Sequence, residues 1–154
     1  MAGVTLFSSM DLISGFFQQE IAPEDKHKLA IATHRGLFQF TRTPFGLRTS
    51  ANSFQRLMNM VLSGLDPMNI GIYIDDIIVA SKNIDDHLIK LQAVFDRLSQ
   101  HNLKLKPQKC HFLTDTIKYL GFTICKGRVF PDKKISKLFK IFLYLLTPQK
   151  LNHF

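Results

Sequence analysis

Apolar residues recur along the chain at two different spacings, which separate the predicted strands from the predicted helices. Mostly apolar segments at positions 4–10 and 70–80 predict buried strands, because β-branched and apolar residues are enriched in them. The first strand runs into Asp11. The second segment is interrupted by Asp75 and Asp76, so it predicts two strands with acidic residues at the bend. Carboxylates therefore stand at the ends of predicted strands.

Two helices are predicted from apolar residues that recur every three or four positions. The first covers about positions 50–63 and ends at Gly64, and the second follows Asn83. Asp85 and Asp86 lie in the first turn of the second helix, where acidic residues favour the helix dipole and need no metal. The predicted apolar stripes are Phe54, Leu57, Met58, Val61 and Leu62 on the first helix, and Leu88, Leu91, Phe95 and Leu98 on the second.

The remaining segments predict turns, short strands and one more helix. Gly36 is predicted to supply the turn of a hairpin, and the stretch 15–17 predicts a turn entering irregular structure. Asp132 is predicted to cap a last amphipathic helix that Pro148 stops. Together these elements predict an α+β fold, with a small antiparallel sheet and helices packed on one of its faces. The other predicted strands lie at positions 29–33, 37–41, 110–113 and 117–125.

Composition narrows the classes of protein to which the chain can belong. Its 154 residues are 45% apolar, enough for one sizeable core, and its net charge of +8 favours a polyanionic partner. Cys110 and Cys125 form no closely spaced pair, which argues against a zinc site or a disulfide framework. The start of the chain lacks the pattern of a signal peptide, and the apolar patch at 138–146 is too short to span a membrane. We therefore expect a protein that is neither secreted nor membrane-spanning.

The acidic pair inside an apolar segment requires an explanation. Adjacent carboxylates repel one another and resist burial unless a cation or hydrogen bonds compensate their charge. If the first strand lies beside the acidic bend, Asp11 meets Asp75 and Asp76 and forms an all-oxygen site suited to Mg²⁺. Two such ions, about 3.5–4 Å apart, promote phosphoryl transfer without a protein nucleophile. The alternative is a polar hairpin turn that binds no metal.

Several motifs together resemble one known family. Tyr73-Ile74-Asp75-Asp76 resembles the Tyr-x-Asp-Asp signature of retroelement reverse transcriptases. Five further segments match that family in order and spacing, so the stretch 7–132 resembles the polymerase core of gypsy-type long-terminal-repeat retrotransposon Pol polyproteins. The five are Met10-Asp11-Leu12 with Gly15-Phe16, Thr43-Pro44-Phe45-Gly46-Leu47, Phe54-Gln55-Arg56-Leu57-Met58, Leu103-Lys104-Leu105-Lys106-Pro107 with Lys109-Cys110, and Tyr119-Leu120-Gly121-Phe122.

The resemblance implies a role for each matching residue. Asp11 and Asp75 would ligate two Mg²⁺ ions, which Mn²⁺ can replace, and Asp76 would complete the triad. Phe16 would exclude a 2′-hydroxyl; the alternative is an ordinary core phenylalanine. Lys109 would assist the departing pyrophosphate; the alternative is a solvated surface lysine. Phe45 and Gly46 would contact the incoming nucleotide and template, and Tyr73 would contact the primer end. A primer grip would be formed by Tyr119, Leu120, Gly121 and Phe122. The alternative for this last segment is a plain strand and turn.

The implied function is RNA-directed DNA polymerisation from deoxynucleoside triphosphates, with an RNA template and a DNA primer as partners. The resemblance also implies a parent Pol polyprotein with thumb, ribonuclease H and integrase regions, and an intracellular location in the cytoplasm or a virus-like particle. We divide the chain into a palm with a partial fingers hairpin at 1–132 and a diverged helix at 133–154.

Two departures from the family pattern shape our expectations of this chain. Only ten residues precede Asp11, where the family has a fingers segment that clamps the triphosphate, and a thumb is missing after the palm. We therefore expect little activity from the chain alone, and self-association through exposed apolar surface. One alternative is a nucleic-acid-binding module without catalysis. Another is a last helix that binds a partner or a membrane surface.

Overall fold

The computed structural model describes residues 4–125 and 128–132, which fold around a four-stranded antiparallel sheet. The helices over these residues are α1 (Gly15–Gln18), α2 (Ser50–Val61) and α3 (Ile84–Gln100), with 3₁₀ segments at Pro23–Leu29 and Pro107–Lys109. The strands are β1 (Leu6–Asp11), β2 (Ala30–Thr33), β3 (Gly36–Gln39), β4 (Ile70–Tyr73), β5 (Asp76–Ser81), β6 (His111–Thr114), β7 (Thr116–Tyr119), β8 (Phe122–Cys125) and β9 (Arg128–Pro131).

The central sheet has the strand order β4-β5-β1-β6, and β1 and β5 are its inner strands. These two strands pair over six residues each, with Leu6 opposite Ser81 at one end and Asp11 opposite Asp76 at the other. The predicted strand at the N-terminus and the predicted bend in the 70–80 segment are both confirmed. Phe7 and Ile77 are fully buried because inner strands are covered on both faces.

Helices α2 and α3 pack on one face of this sheet. On α2 the buried residues Phe54, Met58 and Val61 follow the predicted stripe. On α3 the predicted stripe is partly wrong, because Leu88 is half exposed, and His87 and Val94 are buried with Leu91 and Leu98. The buried face is rotated by about one residue toward His87, whose polarity hid it from the apolar pattern. The predicted α+β fold with helices on one face is confirmed.

A second, three-stranded sheet of β7, β8 and β9 contacts the opposite face. Ile117 and Ile124 from this sheet pack against Phe7, Ile78 and Ala80. The predicted strand at 117–125 is instead the hairpin of β7 and β8. Its turn residues Leu120 and Gly121 both have positive φ, at 48° and 80°.

The remaining elements lie at the edges of these layers. Strands β2 and β3 form the predicted hairpin, with Thr33 opposite Gly36 and a φ of 121° at Gly36. The stretch predicted as a turn at 15–17 forms the single-turn helix α1 instead. The predicted helix after Asp132 and the proposed boundary at 132/133 concern positions 133–154, which lie outside the described residues.

No helix within residues 4–125 and 128–132 is both long enough and apolar enough to cross a membrane.

Candidate active site

The paired ends of β1 and β5 bring the three acidic residues to one edge of the sheet. Asp11 and Asp76 are direct cross-strand partners. Asp75 lies in the two-residue turn between β4 and β5, and its carbonyl oxygen accepts a hydrogen bond from the Leu12 N–H at 3.1 Å. Strand register therefore places the three acidic residues at the same edge of the sheet, because β1 lies beside the acidic bend.

The turn that carries Asp75 has an unusual backbone conformation. Ile74 has a φ of +55°, which a β-branched residue rarely adopts. The Oε1 atom of Gln55, on α2, accepts a hydrogen bond of 2.6 Å from the Ile74 N–H. Gln55 thus connects α2 to the acidic turn by a hydrogen bond. Sequence reasoning assigned Gln55 no role, because this contact joins residues 19 positions apart.

Gly15 lies beneath the same turn, where its lack of a side chain allows Phe54 and Asp75 to pack closely against it. A Cβ atom at Gly15 would lie 3.1 Å from the Phe54 ring and 3.3 Å from the Cβ of Asp75. Both distances are tighter than ordinary van der Waals contact, so a side chain here would displace the ring or the acidic turn. From the sequence, Gly15 was predicted as part of a turn and of a family motif, and its close packing against Asp75 is seen only in the structure.

Burial and neighbouring charges shift the pKa of Asp76. The pKa of Asp76 is raised, first by burial and then by the negative charges of Asp75 and Asp11, while Lys109 opposes the shift. The ammonium group of Lys109 lies 2.9 Å from Oδ2 of Asp11. This ion pair raises the pKa of Lys109. The site therefore concentrates negative charge that one lysine partly compensates.

The three carboxylates suit a hard divalent cation in their chemistry, since all their donor atoms are oxygens. Across residues 4–125 and 128–132, however, no three His, Cys, Asp or Glu side chains converge closely enough to hold a metal ion as they stand. One oxygen of Asp11 already contacts the Lys109 ammonium group instead. The donor atoms are therefore of the type that Mg²⁺ prefers, but in the described residues they do not converge on one point.

A cavity of about 250 Å³ opens beside the carboxylates. Asp11 and Asp75 line it, together with the predicted nucleotide-binding residues Phe16, Phe45 and Lys109. The rings of Phe16 and Phe45 meet edge to face, with their centroids 5.6 Å apart. The cavity thus has an aromatic wall, an acidic wall and a basic wall. Its lining also includes Ser14 and Lys106, which sequence reasoning did not single out.

The predicted primer-contacting residues lie outside the lining of this cavity, as does Gly46. Tyr73 is half exposed at the end of β4, directly opposite Asp76 in register. Tyr119 is partly buried against Gly71 of β4, and burial, followed by the charge of Asp76, raises its pKa. Leu120 and Phe122 are about half exposed, and Gly121 lies in the turn between them.

Gly71 is a further position that sequence reasoning missed. A Cβ atom there would lie 2.6 Å from Cγ2 of Ile78 and 3.6 Å from the hydroxyl oxygen of Tyr119. Glycine therefore allows β4, β5 and the Tyr119 ring to pack closely near the acidic turn. A glycine inside a predicted strand is the signal that could have marked this close approach.

Solved structures define the class of fold to which this arrangement belongs. The foamy viral protease-reverse transcriptase in complex with dsDNA matches with a TM-score of 0.77 and 23% identity, over 88% of this chain and 28% of that one. The same enzyme in complex with an RNA/DNA hybrid matches with a TM-score of 0.78 and 23% identity, over 88% of this chain and 18% of that one. The fold is that of a reverse transcriptase palm.

Sequence comparison identifies the family. Residues 1–124 match the model for reverse transcriptase (RNA-dependent DNA polymerase), and the chain belongs to this family. The Pol polyprotein of Drosophila melanogaster transposon 412 is 39% identical over 129 residues, 83% of this chain and 10% of that protein. The gypsy Pol polyprotein from the same organism is 33% identical over 131 residues, 85% of this chain and 13% of that protein. The chain thus spans about a tenth of these polyproteins, and the resemblance to gypsy-type elements is confirmed.

Proposed function

We propose that this chain carries the nucleotidyl-transfer centre of an RNA-directed DNA polymerase, with Asp11, Asp75 and Asp76 as its metal ligands. The observation that carries the proposal is the register of β1 and β5, which places Asp11 opposite Asp76 beside the Asp75 turn. Family membership supports the same reaction. The substrates would be a deoxynucleoside triphosphate and a DNA primer paired with an RNA or DNA template, within a larger Pol polyprotein.

The carboxylates would hold two Mg²⁺ ions, with Mn²⁺ able to replace them. When bound, such ions activate the primer 3′-hydroxyl and stabilise the leaving pyrophosphate. The protein's own contribution is to keep Asp11, Asp75 and Asp76 at one edge of a buried sheet. Gln55 and Gly15 support this arrangement, because they hold and accommodate the turn that carries Asp75.

The cavity beside the carboxylates would take the nucleotide. Phe16 and Phe45 form its aromatic wall, against which a sugar and base can pack, and Phe16 would exclude a 2′-hydroxyl. Lys109 supplies positive charge for the phosphates and the departing pyrophosphate. Gly46, next to Phe45, would lie against the template. The three walls of the cavity thus match the sugar, the phosphates and the metal ions of one substrate.

The primer would lie along the sheet edge next to the acidic turn. Tyr73 is half exposed there, and the negative charge of Asp76 helps to raise the pKa of Tyr119. Leu120, Gly121 and Phe122 would continue the primer contact along the hairpin of β7 and β8. The net charge of +8 supports binding to the phosphate backbone of a nucleic acid.

Primer extension on a poly(rA) template with dTTP and Mg²⁺ tests the proposal. We expect Asp75→Asn to abolish extension, because the variant loses a metal-binding carboxylate. Asp85→Asn is the matched control, since it changes one member of the other Asp pair, at the start of α3, and should retain wild-type extension. Equal extension by both variants would contradict the assignment of Asp75.

A second measurement keeps the test decisive if the chain alone extends primers weakly. Free Mn²⁺ is measured by electron paramagnetic resonance while the wild-type chain and both variants are titrated with the metal. The proposal requires that Asp75→Asn weakens Mn²⁺ binding at least tenfold and that Asp85→Asn does not. Nucleic-acid binding that needs no divalent ion and is unchanged by Asp75→Asn, without any extension, would favour a non-catalytic binding module instead.

A further inference from the structure

The side chain of Lys109 makes the single direct ionic contact with the acidic residues of the site, within residues 4–125 and 128–132. Its ammonium nitrogen lies 2.9 Å from Oδ2 of Asp11. The lysine side chain is 55% exposed, whereas that of Asp11 is 15% exposed. A solvent-exposed ammonium group therefore contacts a carboxylate that is largely buried.

The backbone holds Lys109 beside Asp11 independently of this ion pair. The Lys106 N–H donates a hydrogen bond of 2.8 Å to the carbonyl oxygen of Asp11. The Lys109 N–H in turn donates to the carbonyl oxygen of Lys106 at 2.9 Å and closes the 3₁₀ turn. The turn is thus anchored to β1, so the ammonium group can leave Asp11 by side-chain rotation without moving the backbone.

Asp75 and Asp76 form no ion pair with any residue in the part of the chain that the structure describes. A divalent cation would interact with all three carboxylates, whereas the ammonium group pairs with Asp11 alone. The ammonium group and a metal ion would compete for the same oxygen, since Asp11 Oδ2 accepts from Lys109.

We infer that Lys109 is an internal counterion, which a divalent metal ion must displace from Asp11 before the three carboxylates can converge. The inference rests on the proposed function, because it takes these carboxylates as metal ligands. Within the described residues the three carboxylates do not form a closed metal site as they stand, and one oxygen of Asp11 is paired with Lys109. Once displaced, the ammonium group remains on the wall of the cavity that Lys106 and Phe16 also line.

Mn²⁺ affinity of the full chain, measured by electron paramagnetic resonance of the free ion, tests the inference directly. Lys109→Met should bind Mn²⁺ about two- to fivefold more tightly than wild type, since the ion no longer competes with an exposed ion pair. Lys28→Met is the matched control, because it also removes one positive charge and breaks an exposed Lys–Asp pair, with Asp25. Its Mn²⁺ affinity should equal that of wild type.

An unchanged or weaker affinity in Lys109→Met would overturn the inference. Lys109→Gln provides a second variant, and circular dichroism confirms that each variant is folded. Asp11→Asn separates this inference from the proposed function. If Asp11→Asn loses Mn²⁺ binding while Lys109→Met behaves like wild type, only the counterion role fails. If Asp11→Asn binds as well as wild type, or if the wild-type chain binds no Mn²⁺, the proposed metal site fails as well.

Discussion

At the scale of single residues, Gln55 links the packing of a helix to the position of a carboxylate. Its Oε1 atom accepts from the Ile74 N–H, and its Nε2 atom donates to Asn59 one helical turn away at 2.8 Å. The amide is therefore held at both ends. Because Ile74 has a φ of +55°, the turn needs support from its surroundings, and this hydrogen bond supplies part of it.

Replacement of Gln55 tests whether this support matters for the site. We expect Gln55→Ala to cost about 1 kcal/mol of stability and to weaken Mn²⁺ binding and primer extension by roughly 10- to 100-fold, because Asp75 loses its fixed position. Gln55→Glu retains the acceptor oxygen and should recover most of the metal affinity. Urea unfolding and Mn²⁺ titration give the two readouts.

Gln92→Ala is the control for a lost side-chain amide in an exposed helical pair. Gln92 donates to Asp96 on α3, four residues along. It should leave both stability and metal affinity near their wild-type values. If Gln55→Ala loses stability but keeps its Mn²⁺ affinity, the amide has a structural role only and does not position the carboxylates.

The residues of the site differ in how far sequence could predict them. The sequence predicted that Asp11 meets Asp75 and Asp76 if the first strand lies beside the acidic bend, and the pairing of β1 with β5 meets this condition. Gln55 and Lys109 act through contacts between residues 19 and 98 positions apart, respectively, and no local pattern marks those contacts. The spacing of apolar residues shows which face of a helix or strand is buried, but it does not show which polar atoms of distant residues form hydrogen bonds with one another.

At the scale of elements, His87 joins the inner strands to α3. It is fully buried, and its two ring nitrogens lie 2.7 Å from the hydroxyl oxygens of Ser8 on β1 and Ser81 on β5. Ser8 also accepts a hydrogen bond from the Leu113 N–H of β6 at 3.1 Å. His87 thus connects α3 with β1 and β5, and Ser8 extends the network to β6.

The hydrogen bonds around His87 determine which tautomer it adopts. Ser81 donates its hydroxyl proton to the Asn83 carbonyl oxygen at 3.0 Å, so Nδ1 of His87 must donate to Ser81. Nε2 then accepts from the Ser8 hydroxyl. A second ring proton would remove this acceptor and leave the Ser8 hydroxyl without its buried partner. The network therefore suits the neutral imidazole.

This arrangement predicts how stability changes with pH. Burial lowers the pKa of His87, so the unfolded chain takes up a proton before the folded chain does as the pH falls. The contribution to stability is therefore complete above the unfolded pKa of about 6.5 and is lost as the pH falls from there toward the lower folded pKa. The free energy of unfolding should decline by up to about 1.4 kcal/mol per pH unit in this range.

Urea unfolding between pH 8 and pH 5 measures this slope. His87→Gln removes the titrating group and should flatten the curve over this range, although its stability at pH 8 should fall by about 1–3 kcal/mol through imperfect hydrogen bonding. His34→Gln, in the exposed turn of the β2–β3 hairpin, should keep the wild-type slope. An unaltered slope in His87→Gln would exclude His87 as the source of the pH dependence.

The elements also show where periodicity fails as a guide. The stripe of α2 was predicted well because Phe54, Met58 and Val61 are apolar and buried at helical spacing, whereas Ser50, which is also buried, was not part of the apolar pattern. The buried face of α3 was misplaced because His87 belongs to it, and a polar residue contributes nothing to an apolar pattern. The hairpin at 117–125 was read as one strand because its turn carries Leu120 at positive φ, a conformation that sequence favours only weakly for leucine.

At the scale of the whole molecule, large apolar side chains are exposed on several elements, and the β2–β3 hairpin is one of them. Large apolar side chains are exposed on the β2–β3 hairpin, where Ile31, Leu37 and Phe38 are 48%, 71% and 52% exposed. Ile31 and Phe38 are cross-strand partners, so they stand on the same face of that hairpin. Exposed apolar side chains grouped on one face of a two-stranded ribbon favour association with other chains.

The wild-type chain should therefore self-associate as its concentration rises, and the hairpin should account for much of this association. We expect the double variant Ile31→Thr and Phe38→Thr to remain monomeric at several-fold higher concentration, since threonine keeps strand propensity while the apolar face is lost. Met68→Thr, which alters a single exposed side chain before β4, should associate like wild type. Sedimentation velocity across a concentration series distinguishes these outcomes. A wild-type chain that stays monomeric throughout the series would show that this surface does not drive association, and equal association by all three proteins would place the contact elsewhere on the molecule.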